Sequence, residues 1–164
     1  MKELPVIRPY DPTDRDDVVA LSLRAWAPVF DSIEAALHGS GVYELQFPDG
    51  WEPAQRAAVT GVCESGTARV WVVEPAGTVA GFVAVQQAAE EGCGEIVMLA
   101  VDPAAQRRGL GAALTRTALD WMRAQGMTVA MVETGGDPGH APARAAYAAA
   151  GFHLLPVARY FRTL

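Results

Sequence analysis

Cysteine is scarce in this chain. Cys63 and Cys93 stand alone, thirty residues apart and outside any Cys-x-x-Cys pair. A disulfide scaffold and a cysteine-built zinc site are therefore excluded, no metal is expected, and the thiols read as reduced and intracellular. Basic charge is also short, with 13 Lys and Arg against 19 Asp and Glu for a net charge of −6. That is the wrong balance for general nucleic-acid binding. No apolar run exceeds six residues, as at Ile96 to Val101, so nothing is long enough to cross a bilayer. Charge and proline interrupt the first nine residues, which do not read as a secretory leader. No repeat of 20–50 residues and no low-complexity tract occurs, which excludes a solenoid. Together these absences predict a cytoplasmic chain with no nucleic-acid and no membrane partner.

What is present is ordinary globular composition, 51% hydrophobic and 20% charged over 164 residues. At about 100–200 residues per domain, 1–164 is a single domain that buries roughly 70% of its unfolded surface without staples. Charge is unevenly placed. Residues 1–101 carry six basic and fifteen acidic side chains, residues 102–164 seven and four. This suits an anionic ligand beside the C-terminal part and a cationic one beside the N-terminal part, or else is only solvated surface.

Hydrophobic period orders the elements. Leu4 to Arg8 reads as a strand. Thr13 and Asp16 suggest a capping box for a helix that ends before Pro28, and Asp31 a cap for a second helix, Ser32 to His38, stopped by Gly39. Residues 39–51 read as a turn-rich loop with exposed aromatics, and Pro53 as the first position of a helix to about Cys63. Ala68 to Glu74 and Thr78 to Gln87 flank Pro75-Ala76-Gly77 as a hairpin. Glu95 to Asp102 is a strand buried on both faces. From Leu110 the period turns helical as far as Gly126. Met127 to Thr134 is another buried strand, 142–150 a helix ending at Gly151, and 152–164 is extended. The expected class is α/β, a mixed sheet flanked by helices.

The strand–loop–helix from Glu95 to Leu114 is the most informative stretch. Gly109 and Gly111 sit where the loop meets the helix, and without Cβ atoms they let another group approach the backbone. Unpaired N–H groups from about Arg107 to Ala112 would converge at the positive helix end, making an anion site for a phosphate or pyrophosphate. Arg107 and Arg108 add charge. A P-loop is excluded because Ala112-Ala113, and not Lys-Ser/Thr, follows Gly111. The dinucleotide fingerprint also fails, although Glu133 lies 22 residues beyond Gly111. Leu114 occupies its third glycine position, and the first glycine stands too far from the strand end.

Gln106-Arg107-Arg108-Gly109-Leu110-Gly111 resembles the Gln/Arg-x-x-Gly-x-Gly/Ala motif of the GNAT superfamily of acetyl-CoA-dependent N-acetyltransferases. Ala143 to Phe152, with Tyr147 followed by Gly151-Phe152, is similar to that family's second signature. The resemblance is specific over residues 95–152 and topological elsewhere. It implies a fold whose central strands splay at the acyl-CoA site, with the cofactor pyrophosphate on the amides of Arg107 to Ala112, Gln106 beside it, and its arm against Leu99, Ala100 and Val101. A kink near Leu99 or Ala100 would leave backbone groups there for the arm. Arg144 and His140 join the cofactor set; many relatives have Asn where this chain has His140, and an imidazole could hold the arm, act as a base or merely cap the helix. The resemblance also implies direct attack of an amine on acetyl-CoA. Glu95 is then the candidate base, with His140 and Glu133 as alternatives, and Tyr147 the acid for the departing thiolate. The amide of Ala100 or Val101 could polarise the thioester carbonyl.

Acceptor recognition falls to the acidic half. Trp26, Phe30, Tyr43, Glu44, Phe47, Asp49 and Trp51, with Glu133, could form a pocket for a cationic amine, or the aromatics could be core. A small-molecule primary amine is favoured over a protein N-terminus or lysine. A rival of another class is a non-catalytic acyl-CoA-binding sensor or structural module, which needs the 107–112 loop but neither Glu95 nor Tyr147. A homodimer is an arrangement known among such relatives.

Overall fold

A computed structural model describes residues 5–164. Five strands, β1 (Val6–Pro9), β2 (Arg69–Glu74), β3 (Gly81–Gln87), β4 (Cys93–Val101) and β5 (Val129–Val132), form one sheet in sequence order. The first four pair antiparallel, while β4 and β5 are parallel. The connection between those two is α4 (Leu110–Ala124), as a parallel crossover requires. Leu4, expected in the first strand, lies outside the described residues.

Helix α4 shows why its sequence is periodic. Leu110, Leu114, Ala118 and Met122 repeat every four residues and are all buried. They pack on one face of the sheet against Trp71, Val83, Val85, Ile96 and Val101, with Trp121 edge-on to Trp71 at 5.9 Å. The other face is covered by α1 (Arg15–Ala36) and α3 (Trp51–Glu64) through Val18, Leu21, Val59, Phe82 and Ala100. Between them lies the short α2 (Val42–Gln46), and α5 (Ala141–Ala149) follows β5.

Several local expectations are corrected. Helix α1 does not end before Pro28 but runs 22 residues through it, so Asp31 caps nothing and no second helix begins at Ser32. Pro28 cannot donate to the Arg24 carbonyl. Beyond it Phe30 packs on Phe47 and Trp51 and Ser32 donates to Asp137, so tertiary packing overrides the local breaker. Its entry is capped by Asp11, whose side chain accepts the Thr13 N–H while Asp14 accepts the Asp11 N–H, not by Thr13 and Asp16. The 39–51 loop contains α2, and α3 begins at Trp51 with Pro53 in its first turn. Strand β5 is half-buried on one face, through Ala130 and Val132, and exposed on the other, where Val129 is 57% and Met131 37% exposed. Residues 152–164 form no strand, and Leu154, Leu155, Val157 and Tyr160 are exposed.

Candidate active site

The site begins with a failure of pairing. β4 and β5 pair from Cys93↔Val129 to Ile96↔Val132 and no further. Beyond Ile96, the edge of β4 that faced β5 has no strand partner. The register with β3 shifts at the same place, where Ala84 pairs with Met98 and Val85 with Ile96, leaving Val97 as an extra residue. The bulge therefore sits at Val97, two residues before the kink expected near Leu99 or Ala100. Its effect is visible in the packing. Val97 and Met98 both lie against the α1–α3 cluster, after which Leu99 and Val101 return to the α4 side and Ala100 to the α1–α3 side. A bulge breaks strict alternation and bends the strand, so it steers β4 away from β5.

At the end of β4, Asp102 accepts the Ala104 N–H at 3.0 Å and an ion pair from Arg24 of α1. The Gln106 side chain donates to the Val101 carbonyl at 3.0 Å, which closes the loop. Arg107 has φ +61° and Gly109 φ +81°. Left-handed residues in such a turn gather successive N–H groups into a concave nest. Among the described residues, the N–H groups of Arg107, Arg108, Gly109, Leu110, Gly111 and Ala112 make no hydrogen bond, and the first inside α4 is Ala113 to Gly109 at 3.0 Å. A Cβ on Gly109 would meet nothing within 4 Å, and one on Gly111 only Val101 Cγ2 at 3.8 Å. Packing does not demand a glycine at 111, whose missing side chain leaves the helix end open. Arg107 and Arg108 are exposed beside it. This cradle fits a diphosphate, and the unpaired edge from Val97 to Val101 fits an amide-bearing arm.

Glu95 accepts from Gln86 Nε2 at 3.3 Å and stands one residue before the strands part. Its neighbour Ile96 packs on the α4 side, so Glu95 emerges on the face of α1. Tyr147, on α5, packs edge-on to Phe152 at 5.7 Å. Burial pushes its hydroxyl pKa above the usual value for a phenol. Arg144 donates to the carbonyls of Gly135 (2.6 Å) and Asp137 (2.8 Å), so its guanidinium holds the β5–α5 loop. Glu133 is 68% exposed and 3.6 Å from Arg159.

The aromatic residues form a cluster of their own. Phe30 stacks on Trp51 at 4.5 Å and meets Phe47 edge-on at 5.4 Å, and Phe47 touches Tyr43 at 5.1 Å. Phe30 and Tyr43 are buried, so these rings pack mainly on one another. Trp26 is not among them; it lies edge-on to Phe82 in the sheet layer. Glu44 is exposed on α2. Burial and the nearby Glu34, Asp31 and Glu52 raise the Tyr43 pKa, which locates negative potential around its hydroxyl.

Two residues that sequence reasoning did not single out complete the picture. Asp137 lies between Ser32 of α1, whose Oγ donates to it at 2.6 Å, and His140, whose Nδ1 is 2.5 Å away. Asp137 stood inside a quoted Gly-Asp-Pro-Gly-His segment, but its contact with Ser32 spans 105 positions and leaves no local signal.

The family model described as the acetyltransferase (GNAT) family matches residues 39–152. A stretch of 65 residues is 51% identical to a mycothiol acetyltransferase of Beutenbergia cavernae; it is 40% of this chain and only 20% of that protein. A putative acetyltransferase of the GNAT family from Desulfovibrio desulfuricans superposes with TM-score 0.69 at 21% identity, over 93% of this chain and 87% of that one. The PaiA N-acetyltransferase of Thermoplasma acidophilum, in complex with coenzyme A, superposes with TM-score 0.71 at 14% identity, over 95% and 94%. At such identities the structural likenesses speak for the fold, a single mixed sheet flanked by helices.

Proposed function

The chain belongs to the acetyltransferase (GNAT) family, an acyltransferase family whose cosubstrate is acetyl-CoA, and from that premise we propose that it acetylates a small, cationic primary amine by direct transfer. The observation that carries this reading is the row of six unpaired amides, 107–112, beside the unpaired edge of β4. Those amides would hold the diphosphate and the 97–101 edge the arm. Bound there, acetyl-CoA supplies an activated acetyl group.

An unperturbed amine with pKa near 10.4 is neutral in only about one molecule in 2,500 at pH 7, a handicap of about 4.6 kcal/mol. A proton acceptor is needed; Glu95 stands one residue before the end of the β4–β5 pairing, and His140 lies on the loop that follows β5. Glu133, exposed and paired with Arg159, is a poorer choice. As the amine nitrogen forms its bond to the acetyl carbon, the carbon–sulfur bond breaks and Tyr147 gives its phenolic proton to sulfur. The raised pKa keeps that proton on Tyr147 at neutral pH. A backbone amide of Ala100 or Val101 would stabilise charge on the acetyl oxygen. The acidic excess of residues 1–101 supports a cationic acceptor, and the similarity to a mycothiol acetyltransferase supports a small molecule over a protein. The unpaired Cys63 and Cys93 support a reducing, cytoplasmic setting.

The test is thiol release from acetyl-CoA across a panel of primary amines, with binding followed by calorimetry. Transfer to at least one cationic amine is expected. Binding without transfer to any acceptor would favour a non-catalytic acyl-CoA-binding module.

A further inference from the structure

His140 is tied down to an extent that helix capping does not require. The Asp137 carboxylate meets His140 Nδ1 at 2.5 Å, accepts the Ser32 hydroxyl at 2.6 Å and accepts the Gly139 N–H at 3.2 Å. Ser32 Oγ in turn accepts the Gly139 N–H at 2.8 Å. Two glycines make room for this arrangement. A Cβ on Gly135 would collide with Asp137 Oδ1 and with Nδ1 and Cε1 of His140, and one on Gly139 would stand 2.5 Å from Ser32 Cβ. Only about a sixth of either Asp137 or His140 is exposed, at 16% and 17%. Burial raises the carboxyl pKa, but the hydrogen bonds from Ser32 and His140 outweigh it and the net shift is downward. Asp137 is therefore an anion, and an anion at Nδ1 requires the proton to be there.

In the neutral imidazole Nε2 then carries no proton. It has no hydrogen-bond partner among the described residues and is not a buried orphan. The loop that carries it leaves the carboxyl end of β5, where the parallel strands have just parted, the usual place for a ligand in such a sheet. His140, Arg144 and Tyr147 follow one face of α5. Asp137 is the charged group in contact with the ring; Arg144 donates to the Asp137 carbonyl, helix α1 meets the Asp137 carboxylate through the neutral Ser32, and β4 carries Glu95 one residue before the pairing ends.

We propose that His140 is the proton acceptor of the transfer reaction and that Asp137 is its positioning residue, held by Ser32. The proposal rests on the acetyltransferase reading. From the neutral amine, left when the ammonium form gives one proton to solvent, the nitrogen bonds to the acetyl carbon while its next proton passes to His140 Nε2, and the imidazolium is stabilised by Asp137. The sulfur leaves with the Tyr147 proton, so charge and atoms balance. Imidazole suits this task because it titrates in the neutral range.

Two measurements decide it. Ring nitrogen-15 shifts of the full-length protein at pH 8 should show Nδ1 protonated and Nε2 bare, with Asp137→Asn shifting the population toward Nε2–H. In steady-state kinetics His140→Ala should lower kcat about 100-fold and erase the acid limb of the pH profile, while acetyl-CoA affinity by calorimetry stays within about twofold. Asp137→Asn should lower kcat while acetyl-CoA affinity stays within about twofold. Ser32→Ala should do the same more weakly. A wild-type Nε2–H tautomer overturns the proposal. So does a His140→Ala protein that binds acetyl-CoA normally and keeps both its kcat and its acid limb. Failure of the wild type to bind acetyl-CoA would instead overturn the acetyltransferase reading, and the tautomer would still decide the role of Asp137.

Discussion

Ile96 of β4 pairs with Val132 of β5, and no residue beyond either of them pairs across the two strands. The next residue on β4, Val97, is the bulge, and the loop that follows β5 carries Asp137 and His140. The two strands are parallel because α4 crosses between them, so both carboxyl ends open in the same direction. In chain order β4 leads into the loop before α4, and β5 into the loop that carries His140 and on to α5 with Tyr147.

Gly111 tests the cradle. In α4 a glycine costs helix stability relative to alanine, and a Cβ there meets only Val101 Cγ2 at ordinary contact distance. Gly111→Ala should stabilise the fold by about 0.5 kcal/mol and weaken acetyl-CoA binding several-fold. Gly111→Glu should leave the melting temperature nearly unchanged and abolish the calorimetric signal, because a carboxylate enters the diphosphate site. Normal binding by Gly111→Glu would remove the cradle from the mechanism.

How much of this was legible beforehand differs by region. The stretch from β4 through α4 was readable because each feature is local: a buried strand, two glycines and a helix whose burial repeats every four residues. Tyr147 and Gly151-Phe152 were readable for the same reason. Pro28 misled, because the packing that keeps α1 continuous through it comes from α2, α3 and the loop before α5. The bulge at Val97 leaves no mark in an apolar run where every residue suits either face. Val129 and Met131 look like core residues by type, yet no helix covers their side of β5. Asp137 and Ser32 are polar residues of ordinary kind, joined only by the fold.

Tyr147→Phe removes one proton donor and little packing, since the ring keeps its edge-on contact with Phe152. Turnover should fall about 10- to 100-fold with acetyl-CoA affinity unchanged. Burial raises the phenol pKa above 10, so the acid form persists through pH 9. Wild-type kcat should show no basic limb from this group below about pH 10. Unchanged turnover of the variant from pH 6 to 9 would exclude Tyr147 as the acid.

Glu95 separates the two proton acceptors. If His140 takes the proton, Glu95 contributes its charge to attracting the ammonium form of the acceptor. Glu95→Gln should then raise the acceptor KM about fivefold, change kcat by less than about threefold, and flatten the salt dependence of kcat/KM. A loss of about 100-fold in kcat with KM unchanged would assign the proton to Glu95.

Asp14 anchors the entry to α1, far from the chemistry, and gives a stability prediction with a definite sign. It is 6% exposed, takes both Arg8 guanidinium nitrogens at 2.8 Å and accepts the Asp11 N–H at 2.8 Å. Arg8 also reaches Glu74 at 2.6 Å, which ties β1 and β2 to the helix start. The Arg8 hydrogen bond holds the Asp14 carboxyl below its ordinary pKa, against the opposing effect of burial. A depressed folded-state pKa means that the unfolded chain takes up the proton first. The stabilisation is therefore complete well above the unfolded value of about 3.9 and is lost as pH falls through the lower folded value. Asp14→Asn should cost about 1–3 kcal/mol at pH 7, less than a fully buried pair because Arg8 is a third exposed and keeps Glu74. Urea unfolding at pH 7 and pH 3 provides the check. The gap between wild type and variant should narrow on acidification, and a gap that stays constant would show that Asp14 stabilises the fold by packing and not by its charge.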